Sequence, residues 1–201
     1  MRPRTAAALA AAAALAGCPI PQPLPDYPPG TITPPRILVD QIPVNGTAVR
    51  LVPANCATAP EYPLSASIHD TNNIETIAAR WFVNYDPSFF PYYNPIHTDA
   101  VPPDPNPLVL TRAVPPSGPF IFQPYQHAPP MHAPPPATSF PPYPDAGILR
   151  VVELVVSNGF DPAADAPPDP LPNRTPLLGF ETQVYRWVFL TVPQSPEVPC
   201  P

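Results

Sequence analysis

Proline constrains this chain more than any other residue. There are 42 prolines in 201 positions, and each lacks the N–H that a helix interior or a central strand requires. They are clustered rather than spread. Pro19 to Pro35 reads PIPQPLPDYPPGTITPP, and three further runs lie near 100–106, 123–144 and 161–176. Regular structure must fit between these runs. The stretches left over are short and apolar, and none beyond the first 17 residues carries the 3.6-residue periodicity of an amphipathic helix.

Those stretches read as strands. Ile37-Leu38-Val39 and Ala48 to Val52 flank Asn45-Gly46, a dipeptide suited to a two-residue hairpin turn. Leu64 to His69 alternates apolar and polar, as a half-buried strand does, and Asp70-Thr71-Asn72-Asn73 follows as a polar turn. Ala78 to Tyr85 sets Trp81, Val83 and Tyr85 on one face of a strand. Leu108 to Val114 and Phe120 to Phe122 are weaker candidates. Ile148 to Ser157 and Val184 to Val192 are the strongest, being rich in valine with aromatics in the second. Six to nine strands without helices, in about 165 residues, specify an all-β chain folded as an antiparallel β-sandwich with long Pro-rich loops. No internal repeat is evident.

The start of the chain is different in kind. Met1-Arg2-Pro3-Arg4 precedes an Ala/Leu tract that closes on Leu15-Ala16-Gly17-Cys18. Two arginines, a short apolar core and small residues are the layout of an export signal. Thr5 to Ala16 is too short to cross a membrane, which takes roughly 20 apolar residues. The ending on cysteine resembles the lipobox of bacterial lipoproteins. That resemblance implies cleavage before Cys18, diacylglycerol on its sulfur and stable membrane anchorage, since two or more acyl chains hold where one does not. The next residue is Pro19, not the aspartate that marks inner-membrane retention in that family, which implies the outer membrane. The expected organisation is therefore a signal peptide at 1–17, a lipidated cysteine and Pro-rich tether at 18–35, and a sandwich at 36–201. In polyproline II form the tether would span roughly 50 Å.

Two consequences follow from the lipobox resemblance. It assigns Cys18 to lipid, which leaves Cys56 and Cys200 as an even number of cysteines in an oxidising compartment. A bridge between them would close a loop of about 145 residues, worth on the order of 5 kcal/mol by chain entropy. The net charge of −6 becomes more negative once Arg2 and Arg4 are removed. An acidic chain without a basic run argues against nucleic acid as a partner and against adhesion to anionic headgroups.

The run LSASIHDTNNIETIAARWFVNYD, Leu64 to Asp86, resembles strands B and C of bacterial immunoglobulin-like and PKD-like domains, with Trp81 as the inward-facing tryptophan. LRVVELVVSNGFDP, Leu149 to Pro162, resembles their penultimate strand and its turn, and YRWVFLTV, Tyr185 to Val192, their last strand. The resemblance implies an Ig-like sandwich. It carries no named subfamily, because the facing-strand cysteine pair of antibody-type domains and the WDFGDG-like turn of PKD domains are both missing.

Candidate chemistry is sparse. His127, Met131 and His132, in QHAPPMH, offer imidazole and thioether ligands suited to copper, or are simply exposed loop residues. Asp70, Asn72, Asn73 and Glu75 offer oxygen ligands suited to Ca²⁺, yet Asx residues also favour turns for local reasons. Asp161, Asp165 and Asp169 pose the same choice between calcium and solvated loop charge. Asp86, Asp99 and His97 can be assembled on paper into an acid–base set. There is no Gly-x-Ser-x-Gly elbow, His-Glu-x-x-His, phosphate loop or dinucleotide fingerprint. Phe89-Phe90-Pro91-Tyr92-Tyr93 and Phe140-Pro141-Pro142-Tyr143 place aromatics beside prolines, as binding surfaces do, although packing beneath loops would give the same pattern. The expectation is a non-catalytic, lipid-anchored envelope protein without a cofactor, in a binding or structural role toward a protein or glycan. The alternatives are a periplasmic copper-handling lipoprotein built on His127, Met131 and His132, and a subunit of an envelope assembly.

Overall fold

The computed structural model describes residues 33–42, 48–87, 94–126, 147–161 and 174–201. Its regular structure is all β apart from one 3-10 turn, Val39–Gln41. The strands are β1 (Arg36–Ile37), β2 (Arg50–Pro53), β3 (Tyr62–Leu64), β4 (Ala66–His69), β5 (Ile77–Val83), β6 (His97–Val101), β7 (Thr111–Val114), β8 (Phe120–Phe122), β9 (Leu149–Ser157) and β10 (Thr182–Val192).

One layer is a five-stranded sheet in the order β2-β10-β9-β5-β6. Its centre is the valine-rich pair β9 and β10, joined antiparallel from Thr182↔Ser157 to Leu190↔Leu149. β9 is flanked on its other side by β5 and is buried along nearly its whole length, which is why it reads as a continuous apolar run. The second layer comprises β1-β4-β7 and β3-β8. These two small sheets continue one another in register. Leu64 faces Phe120 and Ala66 faces Val114, so a single residue, Ser65, on one side is opposed by the five residues 115–119 on the other. The excess is extruded as a bulge. The main core lies between the layers, with Leu64, Ile68 and Phe122 meeting Trp81, Leu154 and Trp187. A smaller cluster of Phe82, Val155 and Phe160 covers the outer face of the five-stranded sheet.

The structure corrects three expectations and refines a fourth. The segments around Asn45-Gly46 do not form a hairpin. β1 pairs with β4, while β2 pairs with β10, and in parallel. The chain leaves β1 through the 3-10 turn, where the Ile42 N–H donates to the Val39 carbonyl; Asn45-Gly46 itself lies outside the described residues. The strand from Leu64 to His69 keeps its alternation but changes partners at Ser65. Tyr85 does not share a face with Trp81 and Val83. Asn84 has a φ of 51°, which breaks the strand alternation and turns Tyr85 onto the outer cluster against Phe82, at a ring separation of 5.2 Å. The Pro-rich insertion placed at 100–106 begins inside β6, whose pattern His-Thr-Asp-Ala-Val buries only Val101 and so lacks a strand's hydrophobic signature.

Register also fixes the two ends of the sandwich. Arg36 pairs with His69, Thr111 with His69, Ile77 with Val101 and Ser157 with Thr182. The chain therefore enters at Thr33 at the same end as the turns after β4, β6 and β9. We refer to this as the N-terminal end.

Candidate functional site

The site is built on the edge strand β6. His97 and Asp99 are two apart, so they share a face, and that face points inward because it also carries the buried Val101. Trp81 sits directly across the ladder from His97. Its Nε1–H donates to Asp99 Oδ2 at 3.0 Å, and Asp99 Oδ1 lies 3.1 Å from His97 Nε2. One carboxylate thus holds both the buried indole and the imidazole. The rings stack in sequence: His97 on Phe120 at 5.6 Å, Phe120 on Trp81 at 4.8 Å, and Trp81 on Trp187 at 5.6 Å. Tyr185 closes the series edge-on against Trp187. The exposed imidazole is the outer end of an aromatic stack rooted in the core, and offset-stacked pairs of this kind contribute about 0.5–1.5 kcal/mol each beyond burial.

Beside this stack the bulge after β7 forms the second wall of a cleft of about 360 Å³. Pro115, Ser117, Pro119, Phe120 and Ile121 line it with His97. Gly118 takes a φ of 121° at the turn of the bulge, a conformation that residues with a Cβ rarely adopt. The volume is at the lower end of the range for small-ligand sites. Its surfaces are an imidazole face, a partly buried phenyl ring and proline rings, with one hydroxyl. Nε2, the ring nitrogen farther from the backbone, is the one committed to Asp99. No hydrogen bond links Ser117 to His97 among the described residues. The arrangement offers a flat, rigid shelf for stacking.

Of the acid–base set drawn from the sequence, the structure brings His97 and Asp99 together, and Asp86 takes no part. Asp70, Asn72 and Glu75 are brought together as structural ties. Asp70 is buried and pairs with Arg112 at 2.5 Å, while its other oxygen accepts the Asn72 N–H at 2.9 Å. Burial pushes the Asp70 carboxyl upward in pKa, against the opposing pull of the Asn72 N–H and Arg112. Glu75 accepts from the side chains of Asn72 and Asn158, both at 2.9 Å. Asn73 spans to Asp104 and Asn106. The backbone N–H of Asp161 donates to Thr175. The structure joins Cys56 and Cys200 in a disulfide with Cα atoms 5.5 Å apart. Cys18, His127, Met131, His132, Asp165, Asp169 and both aromatic-proline runs, at 89–93 and 140–143, lie outside the described residues.

Sequence reasoning missed Phe120 and the bulge as parts of a site. The signal was Val-Pro-Pro-Ser-Gly-Pro-Phe between two short strands, a turn too proline-rich to pair and flanked by an aromatic. Compared with protein-family models, curated proteins and solved structures, the chain matches none.

Proposed function

We propose that this is a lipid-anchored module of the bacterial cell envelope, with an Ig-like sandwich that binds a protein or glycan partner without itself catalysing a reaction. The observation that carries the binding role is the cleft walled by His97 and Phe120 on one side and the 115–119 bulge on the other. Its shelf is held in place by Asp99 and Trp81, and such preorganisation reduces what a partner must order on binding. Stacking on an aromatic face with a polar group alongside suits a sugar ring or a proline-bearing peptide. The lipobox Leu15-Ala16-Gly17-Cys18 supports the anchor, and a Pro-rich segment follows it in the sequence.

The test has two arms. Mass spectrometry of the mature N-terminus should find diacylglycerol on Cys18, and an unmodified cysteine would remove the anchor. A photo-crosslinking residue in place of Ile121 in living cells should trap a defined companion, and Phe120→Ala in the same chain should reduce the yield at least tenfold. A yield unchanged by Phe120→Ala would show that the cleft does not recognise the companion. Recovery of that companion at fixed stoichiometry after mild detergent extraction would favour a permanent assembly over transient binding.

A further inference from the structure

The three most exposed large hydrophobic side chains of the described residues are Leu178, Leu108 and Ile74, at 102%, 86% and 78% of full exposure. They come from three different loops, yet all three loops lie at the N-terminal end of the sandwich. Each is held out by a tight turn. The Phe180 N–H donates to the Leu177 carbonyl at 3.0 Å, with Gly179 at a φ of 90°, which leaves Leu178 at the tip. Asn106 accepts the Leu108 N–H on its side chain and the Val109 N–H on its carbonyl, both at 3.0 Å. The Ile74 N–H donates to the Asn72 carbonyl at 2.8 Å. The turns are also cross-tied. Asn73 bonds to the loop at 104–106, and Glu75 bonds to Asn158, next to the Gly159 carbonyl that accepts the Leu177 N–H. Isolated exposed apolar residues need no explanation. The three most exposed, all fixed outward at one end of a domain, are what a contact surface requires.

We propose that this end rests on the membrane, with Ile74, Leu108 and Leu178 entering the interfacial region of the lipid. This rests on the lipid-anchor reading. The occupant is identified by where the chain enters. Thr33, the first described residue, is bonded to Asp70, Thr71 and Asn158 at this same end, so the point at which the described chain begins lies at the end that carries the three tips. The surroundings are not strongly basic: Glu75 and Asp104 are tied into these turns, Asp70 is buried against Arg112, and Arg36 is an exposed cation at this end. Attraction to anionic headgroups is therefore not the force, and the contact is apolar insertion, indifferent to headgroup charge and to salt. Weak insertion suffices once an anchor supplies a high local concentration. The consequence is an orientation. His97 lies four residues along β6 from Val101 at this end, so the cleft is held above the lipid.

The test separates this contact from acylation. The mature-length chain, with Cys18 replaced by a hexahistidine tag, is held on phosphatidylcholine vesicles through a nickel-chelating lipid. Environment-sensitive fluorophores are placed at Leu178→Cys, Leu108→Cys or Ile74→Cys, and at Ile121→Cys and Leu149→Cys as controls. The proposal expects an emission blue shift and quenching by brominated lipid at the three tips alone. These should be unchanged when half the lipid is phosphatidylglycerol, and lost from the Ile74 probe when Leu108→Asp and Leu178→Asp are combined. Absence of a shift at the tips, or an equal shift at the controls, overturns it. So does a shift that appears without vesicles and grows with protein concentration, which would identify a second copy as the occupant. Because the tag stands in for the acyl chains, none of these results depends on whether Cys18 is lipidated.

Discussion

Two buried arginines illustrate how a residue's partners, rather than its type, decide what it contributes. Arg112 sits in the core side of β7 with Asp70 as counter-ion and donates to the carbonyls of Glu75 and Val101 at 2.8 and 3.2 Å. Removing it would strand a buried carboxylate, and breaking such a pair costs about 3–5 kcal/mol. Arg150, in β9, is 1% exposed, yet its guanidinium donates to one hydroxyl, Thr191 Oγ1 at 3.2 Å, and has no carboxylate partner among the described residues; its Nε, like that of Arg112, has no hydrogen-bond partner there. Burial lowers its hold on its proton, which is the signature of a cation poorly compensated for lost hydration. Arg112→Met and Arg150→Met are therefore expected to move stability in opposite directions. In urea unfolding, the first should lose several kcal/mol. The second, a swap of similar length, should gain about 1 kcal/mol by removing the uncompensated desolvation. A loss of comparable size in both would mean that Arg150 is as well satisfied as Arg112.

The elements show where a sequence stops specifying its own pairing. β9 and β10 were legible because a long valine-rich run has few alternatives to a buried strand. The alternation through Leu64, Ala66 and Ile68 was legible for the same reason, since burial on one face is written directly into every second residue. β6 was not legible. Its inward face carries His97 and Asp99, which a binary pattern scores as loop, and only the Trp81 N–H and the Phe120 ring make those groups acceptable there. An inward-pointing carboxylate on an edge strand also discourages pairing with another sheet. The Asn45-Gly46 signal is local, whereas the pairing of β1 and β2 was decided by distant partners, His69 and Phe189 among them. The candidate site had the same problem: His97 and Asp99 are adjacent in any strand, but Phe120 reaches them only through the register of the opposite layer. Asn84 is a further device of this kind. Its side chain accepts the Val151 N–H and its own N–H donates to the Val151 carbonyl, both at 2.8 Å, while its left-handed backbone sends Tyr85 to the outer face. Asn84→Ala removes the acceptor and leaves at positive φ a residue that lacks asparagine's tolerance of the left-handed region, and should cost about 1–3 kcal/mol. Asn84→Gly relieves the backbone but not the lost bond, and should cost less. Thermal melts of the two variants check the order, and an equal cost would assign the whole effect to the hydrogen bond.

At the scale of the whole molecule, the two ends of the sandwich are secured by different means. The N-terminal end is held by the polar network around Asp70, Arg112, Glu75 and Asn158. At the other end the chain beyond β10 is proline-rich and has little regular structure, with one isolated bridge between Ser195 and Val198. There the disulfide takes over. Cys200 is bonded to Cys56, whose N–H donates to the Tyr125 hydroxyl, and that hydroxyl in turn donates to the Pro53 carbonyl. The bridge spans a sequence separation of 144 residues, so in the unfolded chain it removes about as much freedom as one cross-link can. The double variant Cys56→Ala/Cys200→Ala should lose on the order of 5 kcal/mol of global stability, a large share of what a domain this size possesses. It should also loosen the native state unevenly. Hydrogen exchange should accelerate at Ala54, Cys56 and Val198, while the amides of Asp70 and Asn72, tied to Leu110 and to the Asp70 carboxylate, should change only by the global amount. If exchange instead rises first around Asp70, the polar network is the weaker of the two fastenings, and the disulfide would be supporting the sandwich as a whole rather than its far end.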